Sequence, residues 1–503
     1  MIVAFRPDVE PVDATPAPGR SADRRTLTAL LAICAVPMVI SALVHRYTRI
    51  PDGDEPHYLV INEALKRYGS IHVRPVYDSW AFTAFHPGPL MPHVAAPPNE
   101  TLPWHGIGGP LLWHVPYLLG GRTGVLLFMV AVSLLTVANV FWLVRGLGLE
   151  QRYALLTGVG IGLGSTVLTY TAKAFVEPLA ALVVVYGFRV LTKAEMRTRD
   201  LLLVSAALGT LPWVHSRFLP LEVPLVLLLA WRIRRRNQWL AFLGPLAMLT
   251  AALFVYLRVV WHSFNPSINQ AGDTSLLFGA NPVTNLVVVL LDQEHGVLFS
   301  YPIFLFVLPG VILAAADGYR RILLQLLVII GPYCAILLTS PGWWGGWSPP
   351  ARLWAAVLPA FAFPIGYAVQ RARHTLVTAA AVGCALVSVG LDTLCRFSAS
   401  NGFSADFDYL VPLGVLEGLI HWHFTGYLPA WNTRADAPWL FLWWGLAVVA
   451  FSVLVLLRAR RALQDGPSAA RTSGRSAPSA VTSTPAPASR SMVPPAETGE
   501  QPT

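Results

Sequence analysis

Long apolar runs, separated by short polar or basic connections, repeat along nearly the whole chain. They fall at 27–44, 122–144, 153–171, 178–192, 201–215, 217–231, 239–261, 299–316, 322–340, 353–370, 375–392 and 439–457. A bilayer crossing takes about 20 apolar residues as a helix, so these runs predict an all-α, polytopic membrane protein with about twelve transmembrane helices. The tightest fit is 201–231, where two crossings must turn at "WVHSR" (213–217). The first run, Leu27 to Val44, is longer than a signal-peptide core and has no small-residue cleavage site after it, so it reads as a retained span.

Three connections are longer than hairpins: 45–121, 262–298 and 393–438. Loops of that length generally carry function. In the first, "HYLVINEALKRYG" sets Tyr58, Ile61, Leu65 and Tyr68 on one stripe, which predicts an amphipathic juxtamembrane helix lying on the membrane surface. Farther along, "GIGGPLLWHVPYLLGG" (106–121) is too short to cross and predicts a re-entrant or interfacial helix. Residues 1–26 and 461–503 are expected to be disordered tails, rich in Pro, Ser, Ala and Thr at the two ends.

Composition agrees with this picture: of 503 residues, 54% are hydrophobic and only 13% charged, too greasy for a string of soluble domains. The net charge of +9 raises the question of nucleic acid, but the basic residues sit in short clusters between the runs. "RGLGLEQR" (145–152), "KAEMRTR" (193–199), "RIRRR" (232–236), "YRR" (319–321), "RAR" (371–373) and "RARR" (458–461) all thread to one side. The positive-inside rule makes that side cytoplasmic and puts both termini there, in a cell membrane, with no nucleic-acid partner. Most acidic residues, and every histidine except His374, then fall in the outer half. The plain alternative is that longer outer loops simply collect polar residues. The four cysteines have neither a disulfide nor a zinc spacing. No phosphate-binding loop, dinucleotide fingerprint, nucleophile elbow or zinc-protease motif is present.

The densest chemistry is "PDGDEPHYLV" (51–60), with Asp52, Asp54 and Glu55 opening the expected surface helix. Pro56 suits a first helical turn, so Asp54 or Glu55 could serve only as an N-cap. One cap needs one carboxylate, however, and here there are three. The pair Asp52 and Asp54 could also bind a divalent cation, although nothing else in the chain requires a metal or any other cofactor.

These residues resemble the GT-C glycosyltransferases, and within them the branch of the protein O-mannosyltransferases and the lipid A aminoarabinose transferase. The likeness rests on the D-E pair followed by Tyr58, and on "HGIGGPLL" (105–112), "AFVEPLAALVV" (174–184) and "WWGGWSPPARLWAAVLPAFAFPI" (343–365), in that order and on one side. It implies transfer of a sugar from a polyprenyl-phosphate donor to a glycan, lipid or protein hydroxyl outside the membrane, with inversion. By the same likeness Asp54 would be the general base, Glu55 its neighbour and Glu177 a second acidic position. Where relatives carry a K-P-P-L-like segment this chain has "HGIGGP", which leaves the first-loop phosphate ligand to His105.

A departing lipid phosphate needs cations near the outer surface, and the candidates are Arg352, Arg217, Lys173 and His105; each could equally be an interfacial anchor. Asp52, His57, Tyr58, Asp292, Glu294, His295, Trp344 and Trp347 are candidates to line the same cavity. The rival reading is a transporter or lipid flippase, since a dozen helices with both ends inside is also a transporter plan. Transporters, though, place their key polar groups on broken helices near mid-membrane. An enzyme moving a lipid or phosphate group is a third reading.

Overall fold

A computed structural model describes residues 20–270, 279–346, 348–397, 412–431 and 437–464. Among these the regular structure is helical, apart from one isolated antiparallel bridge between Val94 and Pro103. Helix α1 (Arg20–Thr48) leads into the first long connection, which holds α2 (Glu55–Tyr68), α3 (Arg74–Asp78) and α4 (Gly108–Leu112). Short links then join α5 (His114–Gly146), α6 (Gln151–Leu163), α7 (Thr166–Tyr170), α8 (Glu177–Thr192), α9 (Thr198–Val214), α10 (Leu219–Arg232) and α11 (Arg236–Val260). The remainder comprises α12 (Pro282–Leu291), α13 (Val297–Ser300), α14 (Val307–Ala316), α15 (Arg320–Thr339), α16 (Ala362–Ala372), α17 (Thr375–Phe397), α18 (Pro412–Ile420) and α19 (Pro438–Gln464).

Among the described residues six helices, α1, α5, α11, α15, α17 and α19, are long and apolar enough to cross a membrane. The chain is a multi-pass membrane protein. The other six expected crossings are shorter or interrupted, for reasons visible in the backbone. Within 153–171 the helix stops at Leu163 and restarts at Thr166, where the extended Ser165 caps α7 by accepting from the Val167 N–H. Within 353–370, two 3₁₀ turns, Leu353–Ala356 and Leu358–Phe361, precede α16, and Pro359 supplies no N–H to continue a helix. Pro302 likewise opens a 3₁₀ stretch between α13 and α14. Conversely, the expected loop 262–298 contains the apolar α12, capped by Asn281, whose side chain accepts from Val283 N and Thr284 N.

α8 runs through the interior, with Val183, Val184, Val185, Phe188 and Val190 buried. α11 and α19 expose Leu240, Val255, Leu442 and Trp443, the apolar outer face expected of helices bordering lipid.

Three expectations change here. α2 is not the surface helix its stripe suggested: Glu55 through Ala64 are all buried, and only its last turn is open. The polar positions inside it are satisfied by the rest of the fold. Trp113 Nε1 donates to Asn62 at 2.8 Å, Asn62 Nδ2 to the Pro110 carbonyl at 2.9 Å, and Tyr117 OH to Glu63 at 2.5 Å. The stretch 106–121 forms two short helical pieces in place of one, α4 and the first turns of α5 from His114, set off from the rest of α5 by a break at Gly121, whose φ of 55° suits glycine. Finally, α1 starts at Arg20, inside the expected N-terminal tail, and α19 extends to Gln464, past the expected start of the other; the rest of both tails lies outside the described residues.

Candidate active site

Asp54 occupies the N-cap position of α2, yet its side chain makes no capping bond. It turns instead to Arg352, whose Nη2 donates to Asp54 Oδ2. The other nitrogens of that guanidinium are also used: Nε donates to Glu177 Oε1 at 3.0 Å and Nη1 to the Gly345 carbonyl at 2.8 Å. The Phe175 ring lies 4.5 Å from its Cζ, at cation–π distance. Glu177, the first residue of α8, also accepts from Arg217 Nη2 at 2.6 Å. Four charges therefore alternate in sign, Asp54, Arg352, Glu177, Arg217, drawn from four distant parts of the chain. Gly345 makes the closure possible: its φ is +85°, and a Cβ there would sit 3.0 Å from Arg352 Cβ.

Burial alone would push the Asp54 carboxyl up. The Arg352 charge and hydrogen bond, helped by Arg217, outweigh it and hold the group well below the usual carboxylate range. The cluster is nevertheless not sealed, since the Asp54 and Arg217 side chains are 24% and 22% exposed. Three buried polar atoms beside these charges have no protein partner among the described residues: Tyr58 OH, Glu177 Oε2 and Arg217 Nε. An unpaired buried polar group costs about 1–3 kcal/mol, so these atoms are suited to meet a polar ligand.

The remaining candidates divide. Lys173, fully buried, donates to Asp52 Oδ1, and the Phe175 ring lies near it as well. Asp52 and Asp54 are thus each neutralised by a different cation. Among the described residues no group of three or more His, Cys, Asp or Glu side chains is placed to hold a metal ion. His105 comes within reach, with Nδ1 3.8 Å from Asp54 Oδ2. Its position follows from "HGIGG": a Cβ at Gly106 would lie 2.4 Å from the Val214 carbonyl oxygen, so only glycine lets this segment pack on the end of α9. Burial, only partly opposed by Asp54, drives the His105 imidazole down to about 4. His57 is stacked 3.6 Å from His93, beside His105.

Glu55 does not join this cluster. Its carboxylate accepts from Arg122 Nε at 2.7 Å and lies 3.9 Å from His45, with all three side chains buried. Asp292 is a pin for its own turn, accepting from the backbone N–H of Glu294, His295 and Trp431 at 2.9, 2.6 and 2.6 Å. That turn reaches the site indirectly, because the His295 carbonyl accepts from Ala351 N–H, next to Arg352, and the His295 ring lies 5.4 Å from Trp344. Glu294 belongs to the same turn and Trp347 lies outside the described residues. Sequence reasoning missed His93, the Phe175 ring and the Gly345 carbonyl, although Phe175 lies inside "AFVEPLAALVV" and Gly345 inside "WWGGWSPP".

No family model and no curated protein matches the chain. Solved structures do. ArnT from Cupriavidus metallidurans in the apo state aligns with a TM-score of 0.50 at 15% identity, over 88% of this chain and 73% of that one. The chain has the GT-C fold of ArnT. The same ArnT bound to undecaprenyl phosphate gives 0.49 at 15% identity, over 86% and 72%. The archaeal oligosaccharyltransferase AglB from Archaeoglobus fulgidus, in complex with an inhibitory peptide and a dolichol-phosphate, gives 0.35 at 13%, over 87% and 56%.

Proposed function

We propose that this protein is a membrane glycosyltransferase that moves a sugar from a polyprenyl-phosphate carrier to an acceptor hydroxyl, with inversion, on the extracytoplasmic side of a cell membrane with both termini inside. The observation that carries this reading is the Asp54–Arg352–Glu177–Arg217 cluster, partly open and edged by polar atoms that have no partner among the described residues. It combines what the reaction needs: a carboxylate to take a proton, and two guanidiniums able to hold a phosphate by paired, charge-assisted hydrogen bonds. The ArnT fold supports it further, since ArnT is itself a lipid A aminoarabinose transferase.

The cluster also suggests an order of events. While Arg352 is bound to Asp54, the carboxylate is a weak base. A donor phosphate entering between Arg352 and Arg217 competes for the guanidinium, and as that contact loosens Asp54 gains basicity. The acceptor oxygen then forms its bond to the anomeric carbon as the bond to the phosphate breaks. The electron pair leaves with the polyprenyl phosphate, which is stabilised by the arginines. Glu177 keeps both guanidiniums aimed.

The test is incubation of purified protein with a panel of radiolabelled polyprenyl-phosphate sugars. Sugar-dependent release of polyprenyl phosphate, abolished in Asp54→Asn, is the expected result; passage of lipid across a vesicle membrane without hydrolysis or transfer would favour the flippase instead. Sidedness is checked separately by cysteine substitution. An impermeant reagent added outside should label position 79 and spare position 195, and the reverse pattern would overturn the proposed face.

A further inference from the structure

Three histidines of the first long connection form an array against Asp54. His105 Nδ1 lies 3.8 Å from Asp54 Oδ2, and His105 Nε2 lies 3.1 Å from His93 Nδ1. His57 stacks on His93, with ring centroids 3.6 Å apart and planes 10° from parallel. His57 Nδ1 is in turn 2.8 Å from the Tyr77 hydroxyl, which also accepts from the backbone N–H of His93 at 3.4 Å. His105 and His57 are buried, whereas His93 is half-buried and follows the exposed Met91 and Pro92. The array thus runs from the Asp54 carboxylate to the water-facing surface of the loop.

We infer that His105 and His93 form a proton relay that carries the acceptor's proton from Asp54 to solvent, with His57 and Tyr77 holding His93 in line. The inference rests on Asp54 acting as the base. The acceptor O–H bond breaks as Asp54 takes the proton. Asp54 then passes it to His105 Nδ1, His105 Nε2 gives its own proton to His93 Nδ1, and His93 Nε2 releases one to water. One proton enters and one leaves and no electrons are exchanged; each ring is left in its other tautomer, which loss and regain of a proton through water resets before the next turnover.

Two features suit this better than a purely structural role. First, Asp54 Oδ2 is the atom held by Arg352 and also the atom nearest His105, so withdrawal of Arg352 by a phosphate frees it to close the 3.8 Å gap. Second, all three imidazoles are poor places for a proton to rest. Burial lowers His57, His93 and His105 in the first place, and charge on a neighbouring ring lowers His57 and His105 further. A proton delivered to the array therefore moves on. A structural cluster would need only the stack and the hydrogen bond to Tyr77. It would not need ring nitrogens set in line from the carboxylate outward.

The test uses the full-length protein in detergent or vesicles with a polyprenyl-phosphate sugar donor, comparing His93→Ala, His93→Gln and Asp54→Asn with wild type. For His93→Ala the expected result is a kcat about tenfold to a hundredfold lower, an unchanged KM for donor, a larger solvent deuterium isotope effect, and partial recovery with added imidazole. His93→Gln, which keeps a hydrogen bond but cannot relay a proton through a ring, should be as slow as His93→Ala. Wild-type turnover in both His93 variants, while Asp54→Asn is dead, overturns the relay and leaves Asp54 as the base. A loss that imidazole does not restore, accompanied by weaker donor binding, also overturns it and makes His93 structural. Retained transfer in Asp54→Asn would overturn the underlying assignment of the base, a result distinct from either.

Discussion

Asp54 and Glu55 are adjacent in sequence, carry the same chemistry and end in opposite kinds of environment. Glu55 faces Arg122 and His45, with side-chain exposures of 0%, 1% and 2%; nothing can enter. Asp54 faces Arg352 in a cluster that is about a quarter open at Asp54 itself. Arg122 also donates to the Arg49 carbonyl at 2.6 Å, so the closed cluster ties the end of α1 and the start of α2 to α5. Burial of a charge pair is thus compatible with either role. What separates them is access: among the described residues both clusters keep buried polar atoms without a partner, but only the one around Asp54 is open to a ligand.

The sharpest way to test that contrast is to remove the charge from each acid in turn. Asp54→Asn should lower transfer on the order of 100-fold to 10,000-fold while thermal stability in detergent changes little, because the amide keeps the shape but takes no proton. If Asp54→Asn turns over normally, the open cluster is structural too. Arg122→Ala should do the opposite, costing about 3–5 kcal/mol by leaving Glu55 buried and unpaired, visible as a lower melting temperature and reduced yield. Any protein that does fold should retain its turnover number.

A smaller effect is expected of Arg352→Lys. Lysine preserves the charge but cannot bridge Asp54, Glu177 and the Gly345 carbonyl at once, so donor binding and transfer should fall several-fold or more. An interfacial anchor would tolerate the change, and normal donor binding by Arg352→Lys would make Arg352 one. In the closed cluster the same exchange, Arg122→Lys, should be read in stability alone.

The smallest effect concerns acid. His105 is lowered from 6.5 to about 4, so its neutral form is built into the fold and the unfolded chain binds the extra proton first. Its stabilising contribution is full above pH 6.5 and is lost as pH falls from there towards 4. The melting temperature of wild type should therefore drop across that window, and more steeply than that of His105→Gln. Asp54, held well below the usual range, does not titrate in this window, but its charge partly offsets burial at His105, so Asp54→Asn should carry the loss on to lower pH. Identical slopes in wild type and His105→Gln would show that His105 is not held neutral.

Much of this was legible in the chain. The apolar runs marked where the helices lie, and the motifs around Asp54, Glu177 and Arg352 marked the charged groups that come together. The surface reading of α2 failed because a 14-residue stripe cannot reveal what covers its other side: the stretch from His105 to Tyr117 folds over Asn62 and Glu63 and satisfies both. Not every expected crossing is one long helix, because Ser165, Pro302 and Pro359 break helices that are apolar enough by composition.

By itself, then, the sequence determined the class, an all-helical membrane protein, because hydrophobicity over a span length and the helical period are local properties of the chain. Asp54 and Arg352 are separated by 298 positions and Glu177 and Arg352 by 175. Which carboxylate met which cation, and which pair stayed open to a ligand, was decided only by the tertiary structure. Pairing depends on distances between remote segments, which no local pattern encodes; side by side in the chain, Asp54 and Glu55 show nothing of the different partners that the fold gives them.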